Sequence, residues 1–393
     1  MRGIYIHIPF CSAYCLYCGF YSVKRLGLIQ GFTRAVIEEA VSRRGFFETG
    51  TLSSGAATSP YTLYIGGGTP SILDPGILSR IVERIKELFK IDYFDEFTIE
   101  VNPDDITPES AQRLLEIGVG RISMGVQSFI DRDLAWMRRR HNSAEAVEAY
   151  RVLREAGFSN ISLDLIFGYS LLGLEDWREN LNRIVALAPE HISAYQMSID
   201  RGSALYKMSE NGQYEMPSQE RCREQYELLQ EVLSAAGYEQ YEISNFAKPG
   251  YNSIHNSSYW SGTPYLGLGP GAHSFTGEFI DERGRRFAQR SWNKSNLTKY
   301  ISAYEGSAIL GSYNIRGEEL LNERELFNEK IMLGLRRVAG VDLTDLNKFF
   351  LDKVTPEIER LEEQRLIVVE GKRIKIPQKN LFISDSIIRT LFI

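Results

Sequence analysis

Three of the four cysteines, Cys11, Cys15 and Cys18, lie in one short stretch, CSAYCLYC, at C-x3-C-x2-C spacing. Thiolates bind iron and zinc, and three in one loop can surround a single centre without help from distant chain. A closed zinc site needs a fourth ligand, for which His7 or Cys222 is available, and usually shows paired C-x2-C knuckles. No second knuckle exists in this chain. An iron-sulfur cluster usually takes four cysteines, so three leave one iron with an open position, which is what a catalytic metal needs. The spacing therefore favours an open [4Fe-4S] cluster, with Cys222 in QERCREQ as a bystander.

Other residues suit a polar ligand beside such a centre. Gly66-Gly67-Gly68-Thr69-Pro70 lacks the G-x-G-x-x-G of a dinucleotide fold and the Gly-Lys-Ser/Thr ending of a phosphate loop. Missing Cβ atoms let backbone pass close to a bound group, although a tight strand-to-helix turn would use the same glycines. Gly267 to Gly271 fails the same test. Glu100, Asn102, Gln127, Asp164 and Gln196 fall on or near the ends of expected strands. Left unpaired, buried groups of this kind cost about 1 to 3 kcal/mol each, so several at one rim suggest a polar ligand or a mutual network. The run Arg138-Arg139-Arg140 reads either as a solvated basic face or as a carboxylate clamp.

These residues need a scaffold, and the pattern supplies one. Short apolar runs at Ile4–Ile8, Thr62–Ile65, Glu96–Val101, Arg121–Gly125, Ile161–Phe167 and Ile192–Met197 read as strands. Amphipathic stretches at Ile77–Phe89, Pro108–Glu116, Ala144–Ala156 and Trp177–Leu187 lie between them. Alternation of this kind is an α/β signature: a partial (β/α)6 barrel, with a doubly wound sheet left open by periodicity alone. Thr49 to Pro60 reads as a surface loop, Gln219–Ala236 as a helix, and Tyr238 to Phe275 as an aromatic, Gly-rich region. Helical patterns at Glu323–Leu335, Leu343–Phe350 and Pro356–Gln364 precede strands Ile367–Val369 and Arg373–Ile376 and a last helix. That order suggests a C-terminal winged-helix-like α+β unit. The expected division is 1–200 for the barrel, 201–310 for an extension and 311–393 for the C-terminal unit.

The 393 residues, 43% hydrophobic and 24% charged, are ordinary for a globular chain of two or three domains. Lys and Arg total 45 against 51 Asp and Glu, a net charge of −6, so a nucleic-acid partner is disfavoured. The first residues do not read as a signal peptide, and no run of about 18 apolar residues occurs. A cytoplasmic protein is expected.

With Tyr17 beside the last cysteine, the triad resembles the hallmark of the radical S-adenosylmethionine superfamily. Members hold a [4Fe-4S] cluster whose open iron binds S-adenosylmethionine. More closely, the chain resembles the oxygen-independent coproporphyrinogen oxidase group and, within it, the HemW-type haem chaperones. The resemblance runs through YIHIPFCSAYCLYCGF, YIGGGTP, IEVNP, RISMGVQSF, ISLDLIFG, HNSSYW and YLGLGPGAHSF. It implies a cluster on Cys11, Cys15 and Cys18. It also implies S-adenosylmethionine contacts at Tyr5, Tyr17, Gly67, Gly68, Thr69, Glu100, Gln127, Arg139 and Asp164. Oxidases of the group carry a fourth cysteine two places after the third, whereas this chain reads Cys18-Gly19-Phe20; they also carry an N-terminal extension, whereas the first strand here begins near residue 4. Both departures favour the chaperone branch. Gly19 stands where the family has an acidic residue, which puts the hydrogen bonding of the cluster loop in doubt.

His255-Asn256-Ser257-Ser258-Tyr259-Trp260 matches the H-N-x-x-Y-W haem motif of that branch. An imidazole is a common axial ligand, Tyr and Trp offer flat apolar surface, and Asn256 can orient the ring. The bland alternative is a capped aromatic turn with a satisfied His. The resemblance thus implies a haem chaperone that uses His255, Asn256, Tyr259 and Trp260 and passes haem to acceptor apoproteins, membrane respiratory proteins among the candidates. Delivery would then bring it to the inner face of the membrane. The alternatives are a radical enzyme of the oxidase type and, on the tail alone, a winged-helix regulator.

Overall fold

The computed structural model describes residues 1–48, 60–305 and 315–393. The expected loop from Thr49 lies outside the described residues except for Pro60, as does the expected boundary at 310/311.

Six parallel strands form the centre in sequence order: β1 (Arg2–Ile8), β2 (Tyr61–Gly67), β3 (Glu96–Val101), β4 (Arg121–Gln127), β5 (Ile161–Phe167) and β6 (His191–Gln196). Helices Ile29–Ser42, Pro75–Phe89, Pro108–Ile117, Ser143–Ala156 and Leu174–Leu187 make the crossovers. Their starts are written locally. Asp74 caps Gly76 N ahead of Pro75, and Thr107 with Ser110 and Asn142 with Glu145 form capping boxes. Gly118 and Gly157 end two of them in the left-handed region.

The remaining strands lengthen the sheet at both flanks. On one side β8 (Asn245–Ala247) pairs antiparallel with β6, and β7 (Glu239–Gln240) with β8. On the other, β9 (Tyr265–Leu268) runs parallel to β1, followed by antiparallel β10 (His273–Ile280), β11 (Arg286–Asn293) and β12 (Arg316–Leu321). Residues 316–321 thus belong to the large sheet. A small sheet of β13 (Val341–Asp342), β15 (Arg373–Lys375) and β14 (Val368–Glu370) stands apart from it. Where the sequence suggests two separate helical stretches, Leu343–Phe350 and Pro356–Gln364, the chain forms one helix, Lys348–Glu363, with Pro356 inside it. An interior proline costs about 3 kcal/mol, and burial of Val354, Ile358 and Leu361 along one face offsets it.

Both faces of the central strands are buried, yet only one is apolar. Side chains alternate across a strand. Ile4, Ile6, Leu63, Ile65, Phe97, Ile99, Ile122, Met124, Leu163 and Leu165 form one buried set, the apolar core. The alternate positions Thr62, Thr98, Arg121, Ser123, Ser162, His191 and Ser193 are also buried and polar. Among the described residues no helix is long and apolar enough to cross a membrane.

Candidate functional site

The cysteine loop leaves the C-terminal end of β1, where a parallel barrel gathers its functional groups. Its base is pinched by Cys11 N to Val23 O (3.1 Å) and Val23 N to Pro9 O (2.7 Å). Further out, Leu16 N donates to Met137 O (3.0 Å) and Leu205 N to Leu16 O (2.8 Å). Cys11 Sγ accepts from Thr69 Oγ1 and Cys15 Sγ from Arg139 Nη1, each at 3.4 Å. Burial pushes the Cys18 thiol up to about 11, and Cys15, Cys11 and Asp200 add to it against the Phe20 N–H. Among the described residues no three His, Cys, Asp or Glu side chains are grouped to hold a metal ion. Cys222 is buried far along the chain, beside Gly168.

The triple glycine answers to the chain's own packing. A Cβ on Gly68 would stand 2.6 Å from Phe10 O, 3.0 Å from Ile8 O and 3.0 Å from Cys11 Sγ. On Gly67, which sits at φ +113°, it would meet the His7 ring at 2.6 Å. His7 is held there by Tyr5 Oη (3.1 Å) and Tyr21 O (2.9 Å).

Above the loop lies a cavity of about 910 Å³, lined by the three cysteines and by Tyr17, Gly67, Gly68, Thr69, Glu100, Gln127, Arg139 and Asp164. Asn102 and Gln196 line it too, while Tyr5 does not. Tyr64, Ser123, Ser193, Tyr195 and Asp200 also line it and were not singled out from the sequence. The first four lie on the polar alternate positions of β2, β4 and β6, so period-two counting from Glu100 and Asp164 could have found them.

The chemistry of this wall fits an amino-acid-bearing cofactor next to the thiols. Arg139 is half-buried and donates to Asn102 Oδ1 (2.6 Å) and Gly125 O (2.7 Å), but its buried Nε has no partner. A carboxylate would satisfy it. Glu100 accepts from Tyr64 Oη (2.9 Å) and Gly67 N (3.0 Å), and burial raises it to about 7 against those bonds. Burial likewise raises Asp164, against bonds from Ser193, Ser123 and Ser162. Gln127 adopts φ +71°, a strained setting for a residue with a Cβ, at an irregularity between β4 and β5. Of the arginine run, Arg140 is spent on Asp104 (2.6 Å) and Asp105 (3.0 Å).

The doubt over Gly19 has a spatial answer. A Cβ there would fall 2.5 Å from Asp200 Cβ and 2.8 Å from Asp200 Oδ2, so an acidic side chain from the segment after β6 occupies the space beside Gly19.

The HNSSYW sequence forms a short helix, Ile254–Trp260, between β8 on one flank and β9 on the other. Ser253 caps it through Asn256 N. Glu96 anchors its start, accepting from Ser253 Oγ (2.9 Å), Ile254 N (2.6 Å) and His255 N (3.1 Å). His255 is fully buried. Its Nδ1 is hydrogen-bonded to Thr62 Oγ1 (2.8 Å) and its Nε2 to Tyr259 Oη (2.9 Å), and its ring stacks on Tyr64 with centroids 5.2 Å apart. Burial, then the charge of Arg121, pushes it down to about 3. The ring is neutral at pH 7 and both nitrogens are engaged.

Asn256, Tyr259 and Trp260, but not His255, line a second cavity of about 740 Å³. Phe167, Tyr226 and Phe382 give it further aromatic wall, with Glu242, Arg336 and Asp385 at polar positions. Tyr195, Gln196, Ser198 and Asn256 line both cavities, which are therefore neighbours. The other histidines are accounted for locally. His191 bonds Ser162 Oγ (2.7 Å) and Tyr241 Oη (2.8 Å), His141 bonds Val126 O (3.1 Å), and His273 stacks on Trp292.

A partial barrel with three thiols in its first βα loop is the architecture of the radical S-adenosylmethionine class, and the profile of the Radical SAM superfamily matches residues 5–184. The heme chaperone HemW of Bacillus subtilis is 34% identical over 346 residues, covering 87% of this chain and 85% of that protein. The heme chaperone HemW of Lactococcus lactis is 30% identical, covering 98% and 96%. Radical S-adenosyl methionine domain-containing protein 1, mitochondrial, of Bos taurus is 28% identical, covering 99% and 87%. Among solved structures, coproporphyrinogen III oxidase (HemN) from Escherichia coli superposes with a TM-score of 0.79 at 21% identity, covering 99% of this chain and 89% of that one, a likeness of fold. The chain belongs to the HemW family of radical SAM proteins.

Proposed function

We propose that this protein is a haem chaperone that binds haem against the 254–260 helix and passes it to acceptor apoproteins, with a [4Fe-4S] cluster and S-adenosylmethionine in the adjoining cavity. The observation that carries the reading is the adjacency of the two cavities. One is walled by cysteines and carboxylate- and ammonium-binding groups, the other by aromatic rings, and four residues are common to both.

Cys11, Cys15 and Cys18 would hold the cluster, whose open iron supplies a site for the cofactor and a one-electron donor. Arg139 Nε would bind the cofactor carboxylate, and Glu100, half-protonated near pH 7, and Asp164 would face its cationic and hydroxyl groups. Tyr17, Thr69, Gln127 and the backbone of Gly67 and Gly68 would complete the enclosure. Trp260 would lie against the porphyrin face, with Tyr259 beside it on the same wall and Asn256 between the two occupants. The cofactor cavity draws mainly on residues before 200, and the haem cavity draws on the end of β6 together with residues 242–260. The segment from 311 adds Arg336 and Phe382 to the haem cavity. Acceptors are met in the cytoplasm or at the inner membrane face.

Full-length, cluster-bearing protein titrated with hemin is expected to give a saturating Soret change and then to lose haem to a haem-free acceptor protein. In parallel, steady conversion of coproporphyrinogen under dithionite and S-adenosylmethionine would instead establish an oxidase.

A further inference from the structure

We propose that the haem iron in the second cavity is bound by the phenolate oxygen of Tyr259, with His255 as the hydrogen-bond partner behind it. The proposal rests on the haem-binding reading above and puts Tyr259 in place of the His255 ligand that the motif implies. His255 is the obvious candidate by residue type, yet its side chain is shut away: Thr62 takes Nδ1, Tyr64 covers one ring face, and Tyr259 stands at Nε2. An iron approaching Nε2 from the cavity would have to displace the tyrosine. Tyr259 is itself on the cavity wall, flanked there by Asn256 and Trp260.

Among the motif's side chains on that wall, the phenol oxygen is the one established iron donor, the type that haem catalases use. The neighbouring acids are committed elsewhere: Glu242 accepts from Ser244 N (2.9 Å) and Asp385 pairs with Arg336 at 2.6 Å.

The pair is also built to be stiff. Positions 255 and 259 are one helical turn apart and share a face, and Glu96 fixes the turn from below. The Tyr259 ring is packed edge-on to His255 and Tyr265, with centroids 5.0 and 4.7 Å away. Coordination forms one Fe–O bond to ferric haem and releases the phenolic proton, with no change in iron oxidation state. That proton leaves through the open cavity, and the His255 ring stays neutral, with Nδ1 accepting from Thr62 Oγ1 and Nε2–H donating to the bound phenolate across the existing 2.9 Å contact. A hydrogen bond from the neutral imidazole steadies the phenolate without burying a further positive charge near Arg121. Returning the proton breaks the Fe–O bond, which suits a protein that must let its cargo go.

The test uses the full-length chain with ferric hemin, read by absorption and by resonance Raman for tyrosine modes and an Fe–O(phenolate) stretch. Wild type is expected to show the phenolate signature. Tyr259→Phe should lose it and bind hemin at least tenfold more weakly. Tyr259→His should give an imidazole-type spectrum, which also demonstrates a folded pocket. His255→Gln should keep the phenolate signature with reduced affinity. Haem bound by wild type with an imidazole spectrum that disappears in His255→Gln and persists in Tyr259→Phe overturns the ligand assignment alone. No haem uptake by wild type overturns the chaperone reading and this proposal with it.

Discussion

Glu96 is the residue on which the placement of the haem motif turns, and Glu96→Gln should loosen that helix selectively. In the folded chain its Oε1 accepts from Ser253 Oγ, His255 N and Thr98 Oγ1 (3.2 Å), and its Oε2 accepts from Ile254 N. A glutamine keeps one oxygen. Its NH2 must then face either the Ile254 N–H or the donors on the other side, and every surviving bond loses its charge assistance. Hydrogen bonds to an ionised group contribute about 1.5–3 kcal/mol each, so the loss of one with weakening of the rest amounts to roughly 2–4 kcal/mol. At tenfold per 1.4 kcal/mol, protection of the 254–260 amides should fall roughly 30- to 700-fold. Hydrogen exchange read by mass spectrometry resolves this segment, with the capped helix Ser143–Ala156 as internal control. If 254–260 keeps wild-type protection, or if both helices lose it equally, Glu96 is not the local anchor described above. Hemin affinity should weaken along with protection.

Three further outcomes follow from the same geometry. Gly68→Ala places a Cβ against two backbone carbonyls and the Cys11 sulfur, so it should lower the unfolding free energy by about 1–3 kcal/mol and reduce iron bound per chain on reconstitution. Gly19→Asp should also reduce iron content, because Asp200 fills the space, and adding Asp200→Gly should restore it if the clash is the cause. Glu100, raised to about 7 by burial, holds its proton in the folded state over a range in which the unfolded chain has lost it. Its contribution to stability is therefore greatest below the ordinary carboxylate pKa and declines as pH rises through about 7. Subtracting the urea-denaturation profile of Glu100→Gln from that of wild type, both cluster-free, should reveal this decline between about pH 4.5 and 7; parallel profiles would refute it.

The central strands were legible as short apolar runs and the helices between them as amphipathic stretches, and Asp74, Thr107 and Asn142 cap three of those helices in the fold. The helix Ile29–Ser42 was not legible. Glu39 interrupts its apolar face, yet it is fully buried, accepting from Tyr300 Oη (2.6 Å), Asn293 Nδ2 (2.8 Å) and Gly269 N (2.9 Å). A carboxylate whose partners lie more than two hundred residues away looks like a solvent-facing one in the sequence. The same blindness hid the polar stack of Thr62, Thr98, Arg121, Ser162 and His191, since alternation ordinarily means a wet face and here both faces are covered. The cluster loop and its glycines were visible by spacing. Asp200 beside Gly19, and Tyr259 standing between His255 and its cavity, depend on three-dimensional adjacency that no local pattern encodes.

A second chain of contacts beside that stack gives the two cavities a physical connection beyond their common wall. Gly67 N donates to Glu100, Tyr64 Oη donates to the same carboxylate, the Tyr64 ring lies on His255, and His255 Nε2 meets Tyr259 Oη. The ring contact between Tyr64 and His255 is the link that crosses from the cofactor side to the haem side. An occupant of the first cavity that draws Glu100 toward the ionised form strengthens its claim on the Tyr64 hydroxyl and shifts the ring that covers His255. Contiguity is a spatial fact, whereas coupling is a free energy. Its measure is the nonadditivity of Glu100→Gln and Tyr259→Phe in hemin affinity, which such a path requires to differ from zero and which independent sites would leave within about 0.5 kcal/mol of additivity.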